Sequence, residues 1–118
     1  MRRTVYFALF WLAGAASATA AELLMFETRA CSWCAEWHRV IGPIYPRTTE
    51  GKLAPLRRVD LSDQRPADLA AIGPVVYTPT FILVEDGVEF GRIEGYPGED
   101  FFWGLLNQEL AKLPKTTN

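Results

Sequence analysis

Sulfur and imidazole are scarce in this chain: its 118 residues hold two cysteines, two methionines and one histidine. Two cysteines can neither build a disulfide-dense scaffold nor close a four-cysteine zinc site. No sign of charge dominates either, with 12 Lys+Arg against 14 Asp+Glu and a formal net charge of −2. That balance gives no electrostatic reason to bind nucleic acid. Internal repeats and a linker are missing, and the length admits one domain. What is there is 49% hydrophobic and 22% charged, the composition of a packed globule, so wholesale disorder is excluded.

The first twenty residues read as an export signal. Met1-Arg2-Arg3 supplies a positive start, Val5 to Ala16 is an uncharged apolar run, and the small residues from Ala16 to Ala21 suit cleavage. A cut after Ala20 leaves residues 21–118 as the mature domain. An uncleaved anchor is the other reading, but the run reaches about 18 residues only if Ser17 and Thr19 are counted, which is marginal for a bilayer span. Export sends the domain to the periplasm, an oxidising compartment.

Glu22 to Thr28 suits a buried strand. Trp33, Trp37, Val40, Ile41 and Ile44 then mark one face of a helix, which Gly42 and Pro43 end. Pro46 to Pro55 reads as a connection with one helical turn at most, and Leu56 to Leu61 as a second strand. A short helix is expected from Arg65 to Ile72, with Pro66 at its start and Gly73 past its end. Thr80 to Val84 is continuously apolar and belongs mid-sheet, and Asp86-Gly87 turns it into an antiparallel partner over Val88 to Ile93. Ile93 is out of phase with Val88 and Phe90, so a bulge is expected at Gly91. A last helix runs from Glu99 to Leu113, with Phe102, Leu105, Leu106, Leu110 and Leu113 as its stripe. This order predicts an α/β domain with a four-stranded mixed sheet and helices on both faces.

The chemistry is carried by Cys31-Ser32-Trp33-Cys34, where the first strand gives way to the first helix. The spacing lets both sulfurs meet at a helix start, where unpaired N–H groups and the positive end of the helix dipole stabilise a thiolate. Cys31, outermost, is the expected attacking thiol; Cys34, one turn in, is placed to resolve a mixed disulfide. A bridge kept only for stability is a poor use of so short a loop. A rival reading from another class is Cu(I) carriage by Cys31, Cys34 and His38, which could share one helical stripe. No second histidine supports it, and a lone helix histidine is more often a surface or packing residue. Trp33 is either a partner contact or a member of the helix core. Arg57-Arg58 is most simply a solvated strand edge.

Cys-x-x-Cys at a strand–helix junction, then Thr78-Pro79-Thr80 entering a central strand, then a hairpin and a glycine loop, resembles the thioredoxin superfamily. The resemblance implies a minimal thioredoxin-like fold with a cis Pro79 beside Cys31 and Cys34. It also implies that the Thr78 backbone binds an extended substrate segment, with Gly95 and Tyr96 as another wall of the groove. Longer stretches, among them LLMFETRACSWCAEWHRVIGPIYPRT and TPTFILVEDGVEFGRIEGYPGEDFFWGLL, are similar to the exported thioredoxin-like proteins of the sulfur-oxidation (Sox) system. That group implies a reductant that keeps the cysteine of a thiosulfate-carrier protein reduced and is recharged by a membrane thiol electron donor. The expected partner bears a disulfide or persulfide, and the expected protein is a monomer with no cofactor and no metal. Disulfide isomerisation or oxidation, and reduction of cytochrome-assembly thiols, stay open as alternatives.

The chain departs from familiar thioredoxins at Ala30, where they carry Trp, and at Ser32-Trp33, where they carry Gly-Pro. Met25 stands where they carry a buried Asp that accepts the proton of the resolving thiol. Glu27 falls on the same side as Met25 by strand alternation and is a weak substitute.

Overall fold

A computed structural model describes residues 20–114 of the chain; the expected signal therefore lies outside the described residues, save Ala20. Among the described residues four strands, β1 (Ala21–Glu27), β2 (Leu56–Asp60), β3 (Thr80–Glu85) and β4 (Val88–Glu94), accompany three helices, α1 (Ser32–Val40), α2 (Thr49–Leu53) and α3 (Glu99–Leu110). The sheet order is β2-β1-β3-β4. β1 runs parallel to β2 and antiparallel to β3, and β3 runs antiparallel to β4. The mixed four-stranded sheet is thus the one the sequence predicts.

β1 and β3 are the inner strands, and their unbroken apolar runs are explained by cover on both sides. Leu23, Met25, Phe81 and Leu83 face Trp37 and Ile41 of α1 and Phe102 and Leu106 of α3. Three rings lock this face, with centroids 5.2 Å apart for Trp37–Phe81, 5.8 Å for Trp37–Phe102 and 4.9 Å for Phe81–Phe102. Leu24, Phe26, Ile82 and Val84 point the other way, against Val59, Leu69 and Ile72. Among the described residues the helical cover of this second face is a single 3-10 turn, Ala67–Leu69.

The expected helix over 65–72 shrinks to that turn. A segment so short cannot repay helix nucleation, and one arginine satisfies carbonyls at its end instead: Arg65 Nη1 donates to Ile72 O at 2.5 Å and Nη2 to Gly73 O, just past it, at 3.3 Å. The last helix also stops early, at Leu110, before a turn in which Lys112 and Leu113 donate to the carbonyls of Glu109 and Leu110. Leu105 of the expected stripe is exposed at its rim. The connection after α1 is more helical than expected, with a 3-10 turn at Tyr45–Arg47 and then α2, whose N-cap Thr48 accepts from Gly51 N–H at 3.0 Å. Ile44 falls beyond the end of α1 and is exposed.

The hairpin turn holds Asp86 at φ 53° and Gly87 at φ 72°. Both central residues of a type I′ turn need that left-handed backbone, which Asp tolerates and Gly adopts freely. The bulge lies beside Gly91: Leu83 pairs Gly91 and Val84 pairs Glu89, leaving Phe90 as the extra residue.

Candidate redox site

Cys31 is the N-cap of α1, with extended backbone (φ −82°, ψ 104°) and a sulfur that accepts from Cys34 N–H at 3.0 Å. The two cysteines are bonded, with Sγ–Sγ 2.09 Å and Cα–Cα 5.2 Å. The two sulfurs differ in access. Cys34 is 2% exposed and belongs to the core around Trp37, whereas Cys31 is half-buried and packs against that core from the rim. Cys31 is thus the more accessible residue of the pair.

Beneath the pair lies a cavity of about 570 Å³ whose lining includes both cysteines, Glu27, Arg29, His38, Arg58, Asp60 and Asp63. Glu27 ends β1 and is 8% exposed. Its carboxylate accepts a two-pronged contact from Arg58, Nε to Oε2 at 2.9 Å and Nη2 to Oε1 at 2.7 Å. His38 Nε2 lies 3.2 and 3.1 Å from the same two oxygens. Burial pushes the Glu27 carboxyl up, but the Arg58 guanidinium and the His38 ring outweigh it and hold the group below the usual carboxylate range.

Arg58 lies exposed on the edge strand β2, as expected, and from that edge its guanidinium pairs with Glu27. The parallel register aligns Glu27 with Asp60, and alternation puts Arg58 on the cavity side with Asp60 while Arg57 and Val59 point to the other face. Arg57 pairs with Asp68 there, at 2.6 and 3.0 Å. The sequence does place Glu27 on the side of Met25, and that side is the one where Cys34 sits. His38 is neither a free surface group nor mere packing. Its ring is bound to Glu27 and set edge-on to Trp37, centroids 5.2 Å apart. Among the described residues no group of three His, Cys, Asp or Glu is arranged to hold a metal ion.

The Thr78–Pro79 peptide is cis, as the resemblance implies, and Pro79 is buried at the entry to β3. Gly95, at φ 86°, donates its N–H to Pro79 O at 2.7 Å, so the two loops are joined at their bases. Thr78 and Gly95 come together with Tyr77 and Glu94 around a second groove of about 330 Å³. Tyr96 sets its ring against Phe102, centroids 6.2 Å apart, and is half-buried. Trp33 is 61% exposed; it is no core residue, and Trp37 supplies the buried indole of the helix. Tyr77 and Val76 are exposed as well, a signal that a continuous Val75-Val76-Tyr77 run ahead of Pro79 could have raised.

A bond between two sulfurs at a helix start, one reachable and one sealed, is suited to exchange with a foreign disulfide. On this sheet, with a cis-proline loop at the head of β3, such a pair makes the chain a thiol-disulfide oxidoreductase of the thioredoxin superfamily. No protein-family model matches the chain, and no curated protein does. Among solved structures, the periplasmic thioredoxin SoxS from Paracoccus pantotrophus, in its reduced form, is 48% identical with a TM-score of 0.75, over 78% of this chain and 97% of that one. The chain belongs to the SoxS-type thioredoxins. Thioredoxin f2 of Chlamydomonas reinhardtii (17% identity, TM-score 0.59, 84% of this chain and 87% of that one) shares the fold. So does the Fasciola hepatica thioredoxin (19% identity, TM-score 0.58, 77% and 82%).

Proposed function

We propose that this protein is an exported, periplasmic reductase that keeps the cysteine of a partner protein reduced, the partner being the thiosulfate-carrier protein of sulfur oxidation. The observation that carries the reading is the asymmetry of the pair, a rim sulfur capping α1 beside a sealed one, in a chain 48% identical to a periplasmic SoxS. Removal of the first twenty residues as a signal belongs to the same proposal.

In the reduced protein the Cys31 thiolate, stabilised by the helix start, attacks one sulfur of the partner's disulfide. A mixed disulfide forms and the partner's other sulfur leaves as a thiolate. Cys34 then loses its proton and attacks Cys31 Sγ. The mixed bond breaks, the Cys31–Cys34 bond forms, and the second partner thiolate departs. Two electrons have passed to the partner, and a membrane thiol donor returns them. Thr78 and Gly95 supply backbone groups beside buried Pro79 for an extended partner segment, Tyr96 backs that wall, and exposed Trp33 packs on the partner's apolar surface.

The test is to express full-length Cys34→Ser in the exporting cell and identify what is covalently trapped. Recovery of the thiosulfate carrier bonded through Cys31 is the expected result. Trapping through a sulfur other than Cys31, or recovery of cytochrome-assembly thiol proteins alone, contradicts the proposal.

A further inference from the structure

Deprotonation of Cys34 is the step that the cysteines cannot perform for themselves. Its sulfur is sealed in the core, and burial disfavours a thiolate. Met25, two residues before Glu27 on the same side of β1, is fully buried and has no basic atom. The cavity beneath the disulfide does offer one. His38 lies four residues after Cys34 on α1, so their side chains are neighbours on one helical face, and both line that cavity.

We propose that His38 accepts the proton of Cys34 during resolution of the mixed disulfide, with Glu27 as the positioning residue that fixes its ring. This rests on the reductase reading above. The Glu27 carboxylate is already paired with Arg58, so the nitrogen that faces it, Nε2, must carry a proton and donate it. That choice of tautomer leaves Nδ1, which makes no hydrogen bond among the described residues, as the basic nitrogen. Trp37 holds the ring from the core side. Because Glu27 stays ionised, it anchors and charge-stabilises the imidazolium rather than taking the proton itself.

The other charges around the cavity are Arg29 on the loop after β1, Arg58 and Asp60 on β2, and Asp63 beyond it. Arg58 is taken up by Glu27, and Asp60 accepts from the backbone and hydroxyl of Ser62. In the resolving step the Cys34 S–H proton moves to His38 Nδ1. The Cys31–Cys34 bond forms, the bond from Cys31 to the partner breaks, and its electron pair leaves on the partner sulfur.

The reduced protein mixed with 5,5′-dithiobis(2-nitrobenzoate) tests this, because the coloured thiolate is released twice, once by attack and once by resolution. In His38→Gln the second release should slow about tenfold or more at neutral pH, within the range of general-base effects, while the first changes less than about twofold. Added imidazole should restore the second release in His38→Ala. Glu27→Gln should slow the second release without slowing the first, because the ring loses the carboxylate that orients it, and Glu27→Asp should recover part of that loss. A wild-type second release in His38→Gln at every pH, or equal slowing of both releases, overturns the inference. A native protein with no second release would instead overturn the resolving role of Cys34, and this inference with it.

Discussion

The two faces of the sheet are built from the same strands and do different work. On one, alternate residues of β1 and β3 meet α1 and α3 through packed aromatic rings, and at its end the apolar layer gives way to the charged cavity of Glu27, His38 and Arg58. On the other, Leu24, Phe26, Ile82 and Val84 meet aliphatic side chains from one 3-10 turn and its flanks. The contrast teaches that the redox pair sits where rigid packing and ionised groups adjoin. Trp37 touches both, through Phe81 and Phe102 on one side and His38 on the other. The second face only has to be dry.

The largest break in that contrast is chemical. Cys31→Ser should abolish insulin disulfide reduction in a turbidity assay while leaving the fold intact, because the serine hydroxyl can still cap α1. Next come the packing changes. Trp37→Ala should cost about 3–5 kcal/mol in urea unfolding and Leu69→Ala about 2–5 kcal/mol, but only the first should also slow the release of thiolate by Cys34. If Leu69→Ala slows resolution as much, the faces are not functionally distinct.

Acid titration sharpens the comparison further. The folded Glu27 carboxyl is held below its ordinary value, so its contribution to stability is complete above the unfolded carboxyl range and is lost as pH falls through the folded value. The stability gap between the native protein and Glu27→Gln should therefore be constant near neutrality and shrink on acidification below about pH 4.3. A gap that persists at low pH would mean that the substitution acts through packing alone. The smallest effect should be Arg57→Ala, on the second face. Its pair with Asp68 is screened by solvent, so the loss should leave the urea midpoint nearly unmoved and change neither thiolate release.

Much of this architecture was legible in the residues. The apolar runs of β1 and β3, the Asp86-Gly87 turn and the phase slip at Gly91 each carry a local physical signal, and each appears where expected. The disulfide pair and its helix start were equally local. What escaped were features set by register or by side chains reaching across the chain. Arg58 is solvated as the sequence suggests, but its pairing with Glu27 emerges only once the parallel register of β1 with β2 sets both on one face. The segment over 65–72 has helix punctuation, but Arg65 and Arg57 tie it down through contacts that no helical periodicity encodes. Trp33 and Trp37 are four apart and equally apolar, yet Trp33 is in solvent while Trp37 lies under Phe81 and Phe102, contacts from β3 and α3 that helical spacing does not encode.

The most direct measurement is the pH dependence of alkylation of the reduced protein by iodoacetamide, resolved by mass for each cysteine. The account predicts that Cys31 alone is modified, at a rate that stays high well below the ordinary thiol value of about 8.5. Modification of Cys34 first, or a Cys31 that reacts only in alkali, would contradict it.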